Sequence, residues 1–150
     1  MVKALIVYDS RYGNTEKLAK ALAAGLESGG LDAEVVKADA VKLEELDKVD
    51  LLCVGSPVHA WNASKLTKQF LERLKGLKGL NGKKAFAFDT KIKSRISGSA
   101  ADKIEKKLKE LDFTIAKPNE SAIVKGREGP LEENAEKRFK QIGEELAKKL

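Results

Sequence analysis

Seven consecutive residues, Ser10-Arg11-Tyr12-Gly13-Asn14-Thr15-Glu16, combine groups suited to holding an oxyanion. The hydroxyls of Ser10 and Thr15 and the amide of Asn14 can donate hydrogen bonds to phosphate oxygens. A small, glycine-containing turn between a strand and a helix exposes several backbone N–H groups, and the following helix adds the positive end of its dipole. A dianion can be held in this way without a lysine. The same residues also make a plain strand-to-helix turn capped by Asn14 or Thr15, and local chemistry alone leaves both readings open.

A second stretch, Ser56-Pro57-Val58-His59-Ala60-Trp61-Asn62, holds the chain's one tryptophan and its one histidine. An indole presents a large flat surface that stacks well on another planar ring, although packing on the following helix would use it equally well. His59 suits either a hydrogen-bonded structural role or a proton relay. A third stretch, residues 89–99, carries Lys91, Lys93 and Arg95 and no aromatic residue. Cys53 lies within an apolar run and reads as a core residue, not a reactive thiol. With one cysteine and one histidine, the chain has neither an internal disulfide nor a zinc site built from those residues alone.

Other phosphate chemistry is excluded by what the sequence lacks. No Gly-x-Gly-x-x-Gly follows the first apolar run, and no Gly-x-x-x-x-Gly-Lys-Ser/Thr occurs. Asp9 has neither the acidic pair nor the partner aspartate expected of a phosphoacceptor site.

The elements around these stretches say where they lie. Residues 3–9 and 50–55 are continuous apolar runs ending in small or polar residues, the pattern of strands buried on both faces. Residues 33–38 and 83–89 read as further strands, and residues 113–116 as a fifth, interrupted by Pro118 and Asn119 and continued over 121–124. Between them, Leu18, Leu22 and Leu26 define a helix over 14–28, closed by Gly29-Gly30. Residues 43–46 form a helical turn. Leu66, Phe70, Leu74 and Leu77 mark a helix from Ser64, and Ile104, Leu108 and Leu111 one over 99–111. A last helix shows Leu131, Ala135, Phe139, Ile142, Leu146 and Leu150 on one face, with Pro130 in its first turn. Strands alternating with helices predict one α/β domain over residues 1–150, with a parallel sheet covered on both faces. In such a sheet ligands bind beyond the carboxyl ends of the strands, where the strand order reverses. The three chemistry-bearing stretches all fall there.

Composition agrees with this class. The chain has 150 residues, 42% hydrophobic and 35% charged, with 29 Lys and Arg against 23 Asp and Glu, a net charge of +6. Lysines alternate with glutamates along the helices, as in Lys137, Arg138, Lys140, Lys148 and Lys149 of the last one. That pattern is a solvated surface and gives no nucleic-acid patch. No apolar run approaches the roughly 20 residues that span a bilayer, and the first is too short for a signal-peptide core. A reducing cytoplasmic location is the expectation.

The run from Val7 to Glu16 resembles the phosphate-binding loop of the flavodoxin family, usually Thr/Ser-x-Thr-Gly-Asn-Thr-Glu after the first strand. Ser10, Gly13, Asn14, Thr15 and Glu16 match it, and Tyr12 replaces the middle threonine. Gly55-Ser56-Pro57 resembles the start of the family's flavin-ring loop. The likeness covers essentially the whole chain and lacks the fifth-strand insertion of long-chain members. It implies a flavodoxin-like three-layer sandwich, a five-stranded parallel sheet of order 2-1-3-4-5, and FMN as cofactor. It places Ser10, Arg11, Tyr12, Gly13, Asn14 and Thr15 around the phosphate. Ser56, Pro57, Val58, His59, Ala60, Trp61, Asp89, Thr90 and Lys91 would surround the ring, Thr90 at its edge.

The implied role is an electron carrier between a reductase and a protein acceptor. A small NAD(P)H- or quinone-dependent FMN oxidoreductase and a flavin-free binding domain are the alternatives. Many family members carry an acidic, tyrosine-containing loop where this chain has Lys91, Lys93 and Arg95. Those cations would raise the flavin potential if they face its pyrimidine end. Facing outward, they would dock an acidic redox partner or simply be solvated.

Overall fold

The buried apolar runs pair into a parallel sheet in the computed structural model, which describes residues 2–59, 62–93 and 99–150. In chain order the elements are β1 (Lys3–Tyr8), α1 (Asn14–Ser28), β2 (Asp32–Lys37), two helical turns (Ala38–Ala40 and Leu43–Lys48), β3 (Leu51–His59) and β4 (Asn62–Ala63). They continue with α2 (Lys65–Leu74), β5 (Lys84–Ile92), α3 (Ala100–Glu110), β6 (Thr114–Ile115), β7 (Glu120–Val124) and α4 (Ala135–Ala147). The parallel sheet runs β2-β1-β3-β5, and β6 and β7 both lie alongside β5. This is the implied order 2-1-3-4-5, with β5 as fourth strand and the fifth broken in two.

The break has a local cause. Thr114 and Ile115 pair with Lys84 and Ala85, and pairing resumes only at Glu120 opposite Phe88. Pro118, between them, has no N–H for a ladder. Asn119 turns its N–H to Glu105 of α3, 3.0 Å away.

Side-chain alternation along the strands fills two cores. Leu5, Val7, Leu52, Val54, Ala85 and Ala87 pack under Phe70 and Leu74 of α2 and Ile104 and Leu108 of α3. The other face puts Ile6, Cys53, Phe86 and Phe88 under Leu18, Leu22 and Leu26 of α1 and Phe139 and Ile142 of α4. Helices α1 and α4 cross in backbone contact at Gly25 and Gly143. A Cβ on Gly25 would lie 2.0 Å from the Lys140 carbonyl oxygen.

Three sequence-based boundaries are corrected. Strand β3 continues past Gly55 through Ser56, Pro57 and Val58 to His59, because Ser56 and Pro57 pair with Asp89 and Thr90. Its pairing with β1 ends at Gly55, so Pro57 sits where that edge needs no donor. Strand β5 likewise continues through Thr90 and Lys91 to Ile92, held by Ala122, Ile123 and Val124. Pro130 does not open the last helix, which begins at Ala135. Leu131 bridges instead to Val124, and the Pro130 carbonyl accepts from Lys125 N–H at 2.8 Å.

Candidate functional site

A cleft of about 340 Å³ opens at the carboxyl ends of β1, β3 and β5. The turn before α1 forms one wall. Gly13 adopts a left-handed φ of 87°, a conformation costly for other residues, and the first helical bond runs from Lys17 N–H to its carbonyl. The N–H groups of Asn14, Thr15 and Glu16 precede that bond and have no partner inside the helix. The Ser10 hydroxyl is buried beside them and has no hydrogen-bond partner among the described residues. Thr15 is 1% exposed, and its hydroxyl lies 2.9 Å from that of Thr90. Unsatisfied donors converging on a helix N-terminus suit a phosphate.

The remaining lining comes from the sheet. Pro57, Val58 and His59 of β3 and Thr90, Lys91 and Ile92 of β5 face the cleft, together with Val124 of β7 and Arg127 beyond it. Arg11, Lys91 and Arg127 contribute three cations, and no carboxylate lines the cleft among the described residues. Tyr12 and Ile92, the exposed large hydrophobic residues of the described chain, also both lie here. Tyr12 rests under the Arg11 guanidinium at 5.6 Å.

Ten of the residues read from the sequence thus meet in one place: Ser10, Arg11, Tyr12, Asn14, Thr15, Pro57, Val58, His59, Thr90 and Lys91. Gly13 shapes the turn through its backbone. Ser56 and Asp89 do not line the cleft. Ser56 is buried, donating to the Pro57 carbonyl and accepting from Ser64 N–H at 2.9 Å, which fixes the start of α2. Asp89, fully buried, accepts from Ala101 N–H at 2.9 Å and Ser99 Oγ at 3.2 Å, anchoring the first turn of α3. Ala60, Trp61 and Arg95, and with Trp61 the expected indole stacking, lie outside the described residues.

Sequence reasoning missed Ile92, Val124 and Arg127 as lining residues. No motif marks them. The register that sets Ile92 beside Val124 brings the connection after β7 to the cleft. One N–H of the Asn14 amide is directed to that connection, donating to the Glu128 carbonyl at 3.2 Å.

The flavodoxin family model matches residues 6–142, and the chain belongs to the flavodoxin family. It is 32% identical over 149 residues to an uncharacterized protein of Methanocaldococcus jannaschii, covering 97% of this chain and 36% of that protein. A flavodoxin of Aquifex aeolicus is 37% identical over 93 residues, 60% of this chain and 50% of that protein. The chain therefore spans between a third and a half of the length of these two relatives. A flavodoxin from the domain Archaea has the same fold, with a TM-score of 0.84 at 26% identity, covering 99% of this chain and 98% of that one. FMN is the family's cofactor, and the donor set of the cleft fits its phosphate. No helix among the described residues is long and apolar enough to cross a membrane.

Proposed function

We propose that this chain is an FMN-binding electron carrier working between a reductase and a protein acceptor. One coincidence carries the reading: unsatisfied donors of the Ser10 to Thr15 turn share a cleft with the exposed apolar surfaces of Tyr12 and Ile92. A phosphate at one end and a flat ring at the other would use both.

When bound, FMN supplies reversible acceptance and release of electrons. The chain's own residues do the holding. Ser10, Thr15 and the N–H groups opening α1 would bind the phosphate, while Tyr12, Val58, His59 and Ile92 would flank the ring. Arg11, Lys91 and Arg127 make this end of the molecule positive, which favours negative charge on the ligand and encounter with an acidic partner.

The test is an absorbance and fluorescence titration with FMN, followed by mixing of the loaded protein with NAD(P)H. A carrier binds saturably, quenches the flavin and turns over no NAD(P)H by itself. Sustained NAD(P)H consumption with a quinone would indicate an oxidoreductase, and absence of FMN binding a flavin-free domain.

A further inference from the structure

We propose that the groove between α2 and α3 docks an acidic, amphipathic segment of a partner protein beside the cleft. The groove has a volume of about 320 Å³, and among the described residues it shares no lining residue with the cleft. Docking there stands on its own observations; that the partner exchanges electrons with this chain rests on the carrier reading above.

The chain's net charge is concentrated on these two helices. Residues 65–78 carry five cations and one carboxylate, and residues 100–110 four cations and three carboxylates, a net +5 of the whole chain's +6. Residues 14–28 and 131–150, which hold α1 and α4 on the other face of the sheet, are each neutral. Within α3 the two signs are sorted. Asp102 accepts from the Asn119 side-chain amide at 2.9 Å and Glu105 from the Asn119 backbone N–H at 3.0 Å, while Lys103, Lys106 and Lys107 line the groove. Lys107 reaches Glu72 at 3.7 Å and Glu110 at 3.8 Å, so the two carboxylates of the groove share one cation. Lys68, Lys103 and Lys106 enter no ion pair among the described residues.

The floor between the lysines is apolar, made by the buried side chains of Ala63, Leu71 and Ile104. An acidic segment with apolar side chains meets both surfaces, its carboxylates on the lysines and its apolar groups on the floor. A nucleic-acid strand fits less well. Glu72 and Glu110 would face its phosphates, and no aromatic residue lines the groove among the described residues to stack a base. The sheet sets the groove next to the cleft. Val58 and His59 of β3 line the cleft, and their ladder partners in β4, Ala63 and Asn62, line the groove. The two linings adjoin across one strand spacing, about 4.8 Å.

The experiment follows backbone amide NMR shifts of the full chain, with and without FMN, as a synthetic peptide is added that carries glutamates on one helical face and leucines on the other. The same peptide with glutamine for glutamate and a single-stranded oligothymidylate are the comparison ligands. The acidic peptide should shift residues 62–63, 68–72 and 103–110 saturably whether or not FMN is present. The glutamine peptide should bind far more weakly. Combining Lys68→Glu, Lys103→Glu and Lys106→Glu should weaken the acidic peptide about tenfold, the scale of three exposed ion pairs. All three side chains are exposed, and a cooperative urea transition certifies the fold of the variant. Absence of saturable shifts, shifts centred on Arg11 and Lys91, equal binding of the glutamine peptide, undiminished binding by the variant, or tighter binding of the oligonucleotide overturns the proposal. A chain that docks the peptide and binds no FMN overturns the carrier reading and leaves the docking groove standing.

Discussion

The side-chain amide of Asn14 donates to the backbone carbonyl of Glu128, 114 positions later, and ties the turn before α1 to the connection after β7. That connection is otherwise held by its own ends, through Lys125 N–H to Pro130 and Gly129 N–H to Gly126. It carries Arg127 to the cleft. Asn14 is therefore a strut between two walls of the site as well as a member of one.

Removing the strut should loosen the far wall. Asn14→Ala is expected to raise the FMN dissociation constant about fivefold, the effect of one hydrogen bond of about 1 kcal/mol. Amide hydrogen exchange over residues 125–129 of the ligand-free protein should rise at the same time. Unchanged exchange there would show that the Asn14–Glu128 bond does not hold the connection.

The charge of the cleft makes a separate prediction. With Arg11, Lys91 and Arg127 in the lining and no carboxylate among the described lining residues, FMN affinity should fall as salt is added. Riboflavin, lacking the phosphate, should be far less sensitive. Arg127→Glu should weaken FMN several-fold in dilute buffer, and the difference from wild type should shrink near 1 M salt, where the screening length is about 3 Å. Isothermal titration at two salt concentrations checks this. A salt-independent FMN affinity would mean that these cations point away from the ligand.

The alternation of strand and helix was legible because the central strands are buried on both faces and read as continuous apolar runs. The strand ends were not. Ser56, Pro57, Thr90 and Lys91 are a poor local signal for strand, yet the ladder between β3 and β5 includes the first three, and β7 holds Lys91. Long-range pairing decided those ends. The turn before α1 was readable because its backbone takes a geometry that only certain residues allow, Gly13 foremost. Arg127 left no such trace, since its place depends on how β7 registers against β5. Asp89 has a duty that its place in the sequence did not show: one of its carboxylate oxygens accepts from Ser99 Oγ and Ala101 N–H at the start of α3.

Gly55 belongs to the motif read as the start of a ring-binding loop, and its structural duty lies on the side of the core. A Cβ there would meet the Phe88 ring at 2.2 Å. Phe88 is fully buried and packs edge-on against Phe139, with centroids 5.6 Å apart. Gly55→Ala must displace that ring, and should cost about 1–3 kcal/mol of stability in urea unfolding, as overpacked cores do. Adding Phe88→Leu should recover part of that cost, because a smaller side chain vacates the volume the new methyl needs. Strict additivity of the two substitutions would disconnect Gly55 from the ring.

Cys53 offers a test of the core itself. It is fully buried in β3, and desolvation pushes its thiol pKa well above the ordinary value. Thiol reagents attack the thiolate, so native protein at pH 8 should label only as fast as it unfolds, and rapidly once denaturant is added. The same shift has a sign in stability. With its pKa raised on folding, the folded chain keeps a proton that the unfolded chain releases above about pH 8.5. The resulting contribution is intact below that pH and is lost as pH rises above it. Urea midpoints at pH 7 and pH 10 should therefore fall further for wild type than for Cys53→Ala, in which every other titrating group is unchanged. Equal falls, or fast labelling of the native protein, would place the thiol in contact with water.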